Sequence, residues 1–144
     1  MSFQYLLMAN YTMYLKVLMK RLGDTGLTPG QPRVLDYLSG HNGACQAEIA
    51  AACLVEAASL TSTLNGMEQK GLVERRRGEG DRRSYYIFLT EKGKALCRAV
   101  EETFARMEEQ VFAALPGTGR ADMMETLERL NGAIGALYGK ELDT

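Results

Sequence analysis

The sequence predicts a mainly α-helical chain that carries one small β-hairpin. Three observations support that expectation. Apolar side chains recur at three-and-four spacing in six separate segments. Residues 72–90 are instead rich in β-formers on either side of a Gly78-Glu79-Gly80-Asp81 turn. Two of the helical segments are short and joined by only two or three residues, which is helix-turn-helix spacing.

Bulk properties narrow the function classes. The chain has 144 residues, 46% apolar and 24% charged, enough for one packed core and too ordinary for disorder or a fibrous repeat. The formal charge of −1 argues against coating nucleic acid or membrane by bulk charge. The average hides a gradient. Residues 1–60 balance four basic against four acidic side chains, and residues 91–144 carry seven against ten. Residues 61–90 hold six basic and four acidic, with five arginines inside nine positions (Arg75, Arg76, Arg77, Arg82, Arg83). Three cysteines at wide spacing, without a C-x-x-C pair, suggest neither a disulfide framework nor a zinc site and suit a reducing cytoplasm. No signal peptide or membrane span is expected, because polar residues interrupt the start and no run of eighteen apolar residues occurs.

The elements follow in order. From Met8, apolar residues at Tyr11, Leu15, Leu18, Met19 and Leu22 predict a first helix with one buried stripe, ending near Leu22–Gly23. Thr28-Pro29-Gly30-Gln31 predicts a start, with Thr28 as N-cap, Pro29 at the first helical position and Gln31 completing a capping box. The second helix points Val34, Leu35 and Leu38 inward and breaks at Gly40-His41-Asn42-Gly43. Two short helices follow, around Gln46 to Cys53 and from about Glu56 to Lys70, the latter stopped by Gly71. On the second of these, Leu60, Leu64 and Met67 share one side and leave Ala58, Thr61, Ser62, Asn65 and Gln69 on the other. Strands are expected at 72–77 and 84–90. Thr90 then caps a long helix with Leu96, Val100, Phe104, Met107, Val111 and Leu115 at helical spacing, until Pro116-Gly117. Met123, Leu127, Leu130, Ile134 and Leu137 mark a last helix.

A two-helix unit with a small, polar outer face, followed at once by an arginine-edged hairpin, suits double-stranded DNA. The major groove admits a helix, and Ser, Thr and Asn can hydrogen-bond base edges there. Arginine at a hairpin tip can enter a narrow minor groove. The order of elements is that of a winged helix-turn-helix with extra helices from both termini.

The chain resembles the multiple antibiotic resistance regulator (MarR) family of winged-helix repressors. The resemblance lies in Leu27-Thr28-Pro29 with Gln31 and Val34-Leu35, in Glu48-Ile49-Ala50, and in Glu68-x-Lys70-Gly71-Leu72-Val73-x-Arg75. Its most specific part is Asp81-Arg82-Arg83 followed by Leu89-Thr90 and Gly93, and it covers about residues 5–140. It implies a homodimer on a palindromic site: residues 28–90 form the DNA-binding region, and residues 1–23 and 91–144 interlock as the dimerisation region. It also implies that Arg83 reaches the minor groove, that Arg82 binds phosphate and that Asp81 orients the wing. Ala57, Ala58, Thr61, Ser62 and Asn65 would face the major groove. With Arg75 and Arg77 these make up the expected DNA contacts. The chain departs from the family pattern on the recognition helix, where Ala57, Ser62 and Gly66 stand at positions often basic. Fewer phosphate contacts and a flatter salt dependence follow, and Gly66 costs the helix roughly 1 kcal/mol against Ala.

The family also implies a small aromatic or anionic ligand. Met8, Tyr11 and Tyr14, with Met19, Phe104 and Met107, are the candidate lining, although such a stripe at helical spacing equally suits a core. No cofactor or metal is expected, and no enzyme. The one histidine, His41, sits in a Gly-Asn turn without a nucleophile motif beside it, and Gly78-x-Gly80 lacks the following helix of a phosphate cradle. Two alternatives stay open. One is a winged-helix dimerisation or adaptor protein without specific DNA binding. The other is a thiol-based redox-sensing regulator using Cys45, at a helix start, with Cys53 and Cys97 expected to be inert.

Overall fold

Helix α1 spans Phe3–Arg21 and is capped by the Ser2 hydroxyl, which accepts from the Tyr5 amide at 3.1 Å. In the computed structural model, which describes residues 1–78, 80–115, 117 and 119–142 (81–83 by backbone alone), a 3-10 turn at Gly23–Thr25 follows. Then come α2 (Gln31–Gly40), α3 (Gln46–Cys53), α4 (Ala57–Gln69), strands β1 (Val73–Gly78) and β2 (Asp81–Leu89), α5 (Glu91–Ala113) and α6 (Arg120–Leu142). The chain divides into two compact units, Met1–Ala105 and Arg106–Thr144. Among the described residues no single helix is long and apolar enough to cross a membrane.

The core of the first unit is built as the apolar spacing predicts. Val34, Leu35 and Leu38 of α2, Ile49 of α3, and Leu60, Leu64 and Met67 of α4 are all buried, with Leu72, Val73 and Ile87 of the hairpin and Cys97 and Val100 of α5. The start of α2 differs in detail. The helix begins at Gln31 with Gly30 as N-cap, and the Thr28 hydroxyl makes no cap bond. Half of the capping box survives, because Gln31 Oε1 accepts from the Thr28 amide at 3.1 Å. Thr90 caps α5 as expected: its Oγ1 accepts from the Gly93 amide at 3.0 Å and donates to the Gly71 carbonyl at 2.6 Å. Gly93 is required there, since any Cβ would overlap the Leu72 carbonyl.

The hairpin is antiparallel, pairing Val73 with Leu89 through Arg77 with Tyr85, then breaking register to pair Gly78 with Asp81. The turn is therefore tighter than expected, because Gly78 and Asp81 belong to the strands. The breaker segment before α3 has a second use. Gly43 donates to the Ile87 carbonyl at 2.8 Å, Ile87 to the Ala44 carbonyl at 2.9 Å, and Leu89 to Asn42 Oδ1 at 2.8 Å. Gly43 has φ 86°, and a Cβ there would press on the Phe88 ring. The segment before the helix-turn-helix thus docks along the far edge of β2.

The expected stripe from Met8 to Leu22 is partly buried: Leu18 and Leu22 lie in the core, Leu15 and Met19 are half-buried, and Met8 and Tyr11 are exposed. Leu18 is the only buried residue of that helix, and Phe3, Tyr5, Leu6, Leu7, Met8, Tyr11, Met13, Tyr14 and Val17 are exposed. In the second unit α6 buries no residue, and Met124, Leu127, Ile134, Leu137, Tyr138 and Leu142 are exposed. Both helices present apolar faces that this chain does not cover.

Candidate nucleic-acid interface

Helices α3 and α4 are joined by Leu54, Val55 and Glu56. Leu54 sits at φ 55°, in the left-handed region, which ends α3 sharply and turns the chain into α4. The two helices are tied at their outer ends. Thr61 Oγ1 donates to the Ala57 carbonyl at 3.0 Å, and Gln46 Nε2 donates to Thr61 Oγ1 at 3.5 Å. With Leu60, Leu64 and Met67 turned into the core, Ala57, Ala58, Thr61, Ser62 and Asn65 are all exposed, at the spacing of one helical face. The structure therefore brings these expected contacts together.

Gly66 requires a correction. It stands at a position expected to be often basic, yet it is half-buried, and a Cβ there would lie 3.1 Å from Gln31 Nε2. Gln31 is itself 2% exposed, and its Oε1 accepts from Lys70 Nζ at 2.9 Å. Lys70 also donates to the Gly26 carbonyl at 2.6 Å. The end of α4 is thus clamped to the start of α2 by a buried amide, and Gly66 makes the room.

The wing arginines differ in their settings. The Arg75 side chain is only 14% exposed. Its Nη2 donates to the Thr61 carbonyl at 3.3 Å, and its Nη1 lies 3.6 Å from Glu68 Oε1. This guanidinium is spent on fastening β1 to α4. Arg76 pairs with Glu74 at 3.2 Å and stacks over the Phe88 ring at 4.2 Å. Arg77 is exposed, with its guanidinium 5.0 Å from the Tyr85 ring centre and Nη2 donating to the Tyr85 hydroxyl at 2.9 Å. The strand backbone runs through Asp81, Arg82 and Arg83, whose side chains lie outside the described residues.

A cleft of about 390 Å³ opens behind the helix-turn-helix. Tyr11, Tyr14, Leu15 and Leu18 line it from α1, Pro32, Arg33, Asp36 and Tyr37 from α2, and Cys53 and Phe104 from α3 and α5. Tyr14 and Phe104 stack with ring centres 6.3 Å apart. Of the residues expected here, Tyr11, Tyr14 and Phe104 take part, whereas Met8, Met19 and Met107 do not line it. Sequence reasoning missed Arg33, whose Nη1 donates to the Cys53 carbonyl at 3.1 Å and whose Nη2 donates to the Tyr11 hydroxyl. A signal existed: a cation in the first turn of a helix opposes the helix dipole, so Arg33 serves something other than α2. Burial, reinforced by Glu101, holds the Asp36 carboxyl above the ordinary carboxylate value.

The cysteines are placed as follows. Cys53 is buried, and burial pushes its thiol up, with Arg33 pulling the other way. Cys97 is buried too, and burial with the nearby Glu101 and Asp36 carboxylates pushes it up to about 11. Cys45 is half-buried and donates to Glu48 Oε1 at 3.5 Å.

Residues 25–84, from the turn before α2 into β2, match the model of the MarR family. The whole element order recurs in solved structures. The chain is 27% identical to the transcriptional repressor CouR bound to a 23-mer DNA duplex, with TM-score 0.78 over 93% of this chain and 92% of that one. Residues 25–84 thus match the MarR family within a chain of MarR-type fold. With MepR of S. aureus in its DNA complex it shares the MarR fold at TM-score 0.83 and 24% identity, over 95% of this chain and 98% of that one. A candidate transcriptional regulatory protein for the hcr operon of Thauera aromatica is 30% identical over 105 residues, which is 73% of this chain and 63% of that relative's length. In the winged-helix fold, α4 is the second helix of the helix-turn-helix and the β1–β2 hairpin is the wing.

Proposed function

We propose that the chain is a sequence-specific DNA-binding transcriptional regulator, a ligand-responsive repressor that works as a homodimer on a palindromic operator. The observation that carries this reading is the exposed face of α4, where Ala58, Thr61, Ser62 and Asn65 stand free of the core beside the arginine-rich hairpin. Small and polar side chains on a helix suit base edges in the major groove. In this reading Arg83 enters the minor groove, Arg82 and Arg77 hold phosphates, Asp81 orients the wing, and Arg75 acts by holding α4 against β1. That CouR is bound to a duplex supports the same arrangement here.

The homodimer is supported by the apolar side chains that α1 and α6 leave uncovered. Faces of that size on terminal helices gain burial from a second copy, so residues 1–23 and 91–144 are the dimerisation region and 28–90 the DNA-binding region. The cleft is the ligand site in this reading. Aromatic walls from Tyr11, Tyr14 and Phe104 and one guanidinium from Arg33 suit a small aromatic anion.

The test is fluorescence anisotropy of the purified protein on duplexes tiling the DNA upstream of its own gene, at two salt concentrations, with random duplex as competitor. Saturable binding to one tile, about a thousandfold tighter than to random DNA, is the expected result. Equal, weak, salt-sensitive binding to every tile would instead favour an adaptor that works through protein partners.

A further inference from the structure

The Cys53 carbonyl is the last of α3, where a helix leaves its carbonyls without intrahelical partners. Immediately after it comes Leu54, the one described non-glycine residue at positive φ, itself 70% exposed. A residue with a Cβ takes that conformation at a cost, and the exposure of Leu54 leaves little packing to offset it. What holds the turn is backbone hydrogen bonding, Leu54 N to the Ala51 carbonyl at 3.3 Å and Val55 N to the Ala50 carbonyl at 3.1 Å. The Arg33 guanidinium on the Cys53 carbonyl completes the set.

Arg33 belongs equally to the cleft. One terminal nitrogen donates to Cys53 and the other to the Tyr11 hydroxyl, beside the Tyr14–Phe104 stack. A carboxylate that takes the guanidinium edge carrying both terminal nitrogens competes with the hydroxyl and the carbonyl for those same two nitrogens. Such a bidentate charged pair is stronger than the two neutral acceptors it replaces. Asp36 is the other charged lining group, and burial with the nearby Glu101 raises its carboxyl above the ordinary carboxylate value.

We propose that Arg33 is the relay from the cleft to the helix-turn-helix: an aromatic carboxylate bound against Tyr11, Tyr14 and Phe104 draws its guanidinium off the Cys53 carbonyl and loosens the α3–α4 turn. The proposal rests on the reading of the cleft as a ligand site. It makes the turn, rather than the core of the reading head, the part that answers the ligand, and it needs no DNA to be tested.

The experiment is residue-resolved amide hydrogen exchange on the full chain with benzoate as probe, its binding measured separately by calorimetry. Saturating benzoate is expected to speed exchange of the Leu54 and Val55 amides by about tenfold or more, the effect of losing one charge-assisted hydrogen bond, while the amides of α5 keep their rates. Arg33→Gln is expected to show the fast rates without benzoate and no further change with it. If Arg33→Gln accelerates exchange throughout the fold, the benzoate response of the unaltered chain at Leu54 and Val55 decides alone. Benzoate that binds yet leaves Leu54 and Val55 unchanged overturns the relay. Absence of benzoate binding to the unaltered chain overturns the ligand reading and removes the relay's input.

Discussion

Arg75 of β1 donates to the backbone carbonyl of Thr61 on α4 at 3.3 Å, so the strand that starts the wing is bolted to the middle of α4. The Arg75 side chain is only 14% exposed and also meets Glu68. Arg75→Ala should therefore lower stability by about 2 kcal/mol, the range of a hydrogen bond to a charged group, as measured by urea denaturation. Its effect on DNA affinity should be uniform across sequences and leave the salt slope unchanged. A slope reduced by about one unit would make Arg75 a phosphate contact instead.

Arg83→Ala should weaken operator binding by at least about tenfold while light scattering still reports the parent assembly, because a bidentate or minor-groove arginine contributes roughly 1–3 kcal/mol. Arg82→Ala should cost less and flatten the salt slope by about one unit. Unchanged binding in the Arg83 variant would remove the wing from the interface.

Gly66→Ala gives opposite answers from propensity and from packing. Propensity favours Ala in a helix by roughly 1 kcal/mol. The new Cβ would sit 3.1 Å from Gln31 Nε2, and Gln31 is fixed by Lys70 and the Thr28 amide. Overpacking of about 2 kcal/mol should outweigh the gain and leave the variant about 1 kcal/mol less stable. A stabilised variant would show that the Gln31–Lys70 clamp yields.

Native-state alkylation at pH 8 should modify Cys45 alone, with Cys53 and Cys97 reacting only after denaturation, since both thiols are buried and pushed up. The same shift has a stability consequence. The folded value of Cys97, about 11, exceeds the unfolded 9.0, so its contribution is complete below pH 9 and is lost as pH rises through 11. Cys97→Ala should lose stability at neutral pH and show a shallower decline between pH 9 and 11.

Much of the fold was legible because its short elements carry their signals locally. The span Gln46–Cys53 and the inward trio Leu60, Leu64 and Met67 follow from helical spacing, and the Thr90 cap follows from its hydroxyl before a helix-forming run. The exposed α4 face is the complement of that trio. What stayed hidden depends on partners distant in sequence. The α1 stripe is periodic, yet periodicity cannot say how much of it the same chain covers, and its first members, Met8 and Tyr11, are bare. Arg75 looks like its neighbours in sequence, since an arginine on a carbonyl and one facing solvent differ only in three dimensions. Arg33 joins α1, α2 and α3 at once, and no local pattern encodes such a junction.

The bareness of α6 sets how the molecule responds to dilution. A helix of 23 residues that buries none of them draws little stability from contacts inside its own chain, so in the homodimer proposed above a second copy would act on it as a bound ligand does. The melting temperature should then rise with protein concentration, by the mass-action law that governs any ligand bound by the native state alone. If such a protein also occupied the promoter of its own gene, low expression would mean both fewer molecules and less durable ones.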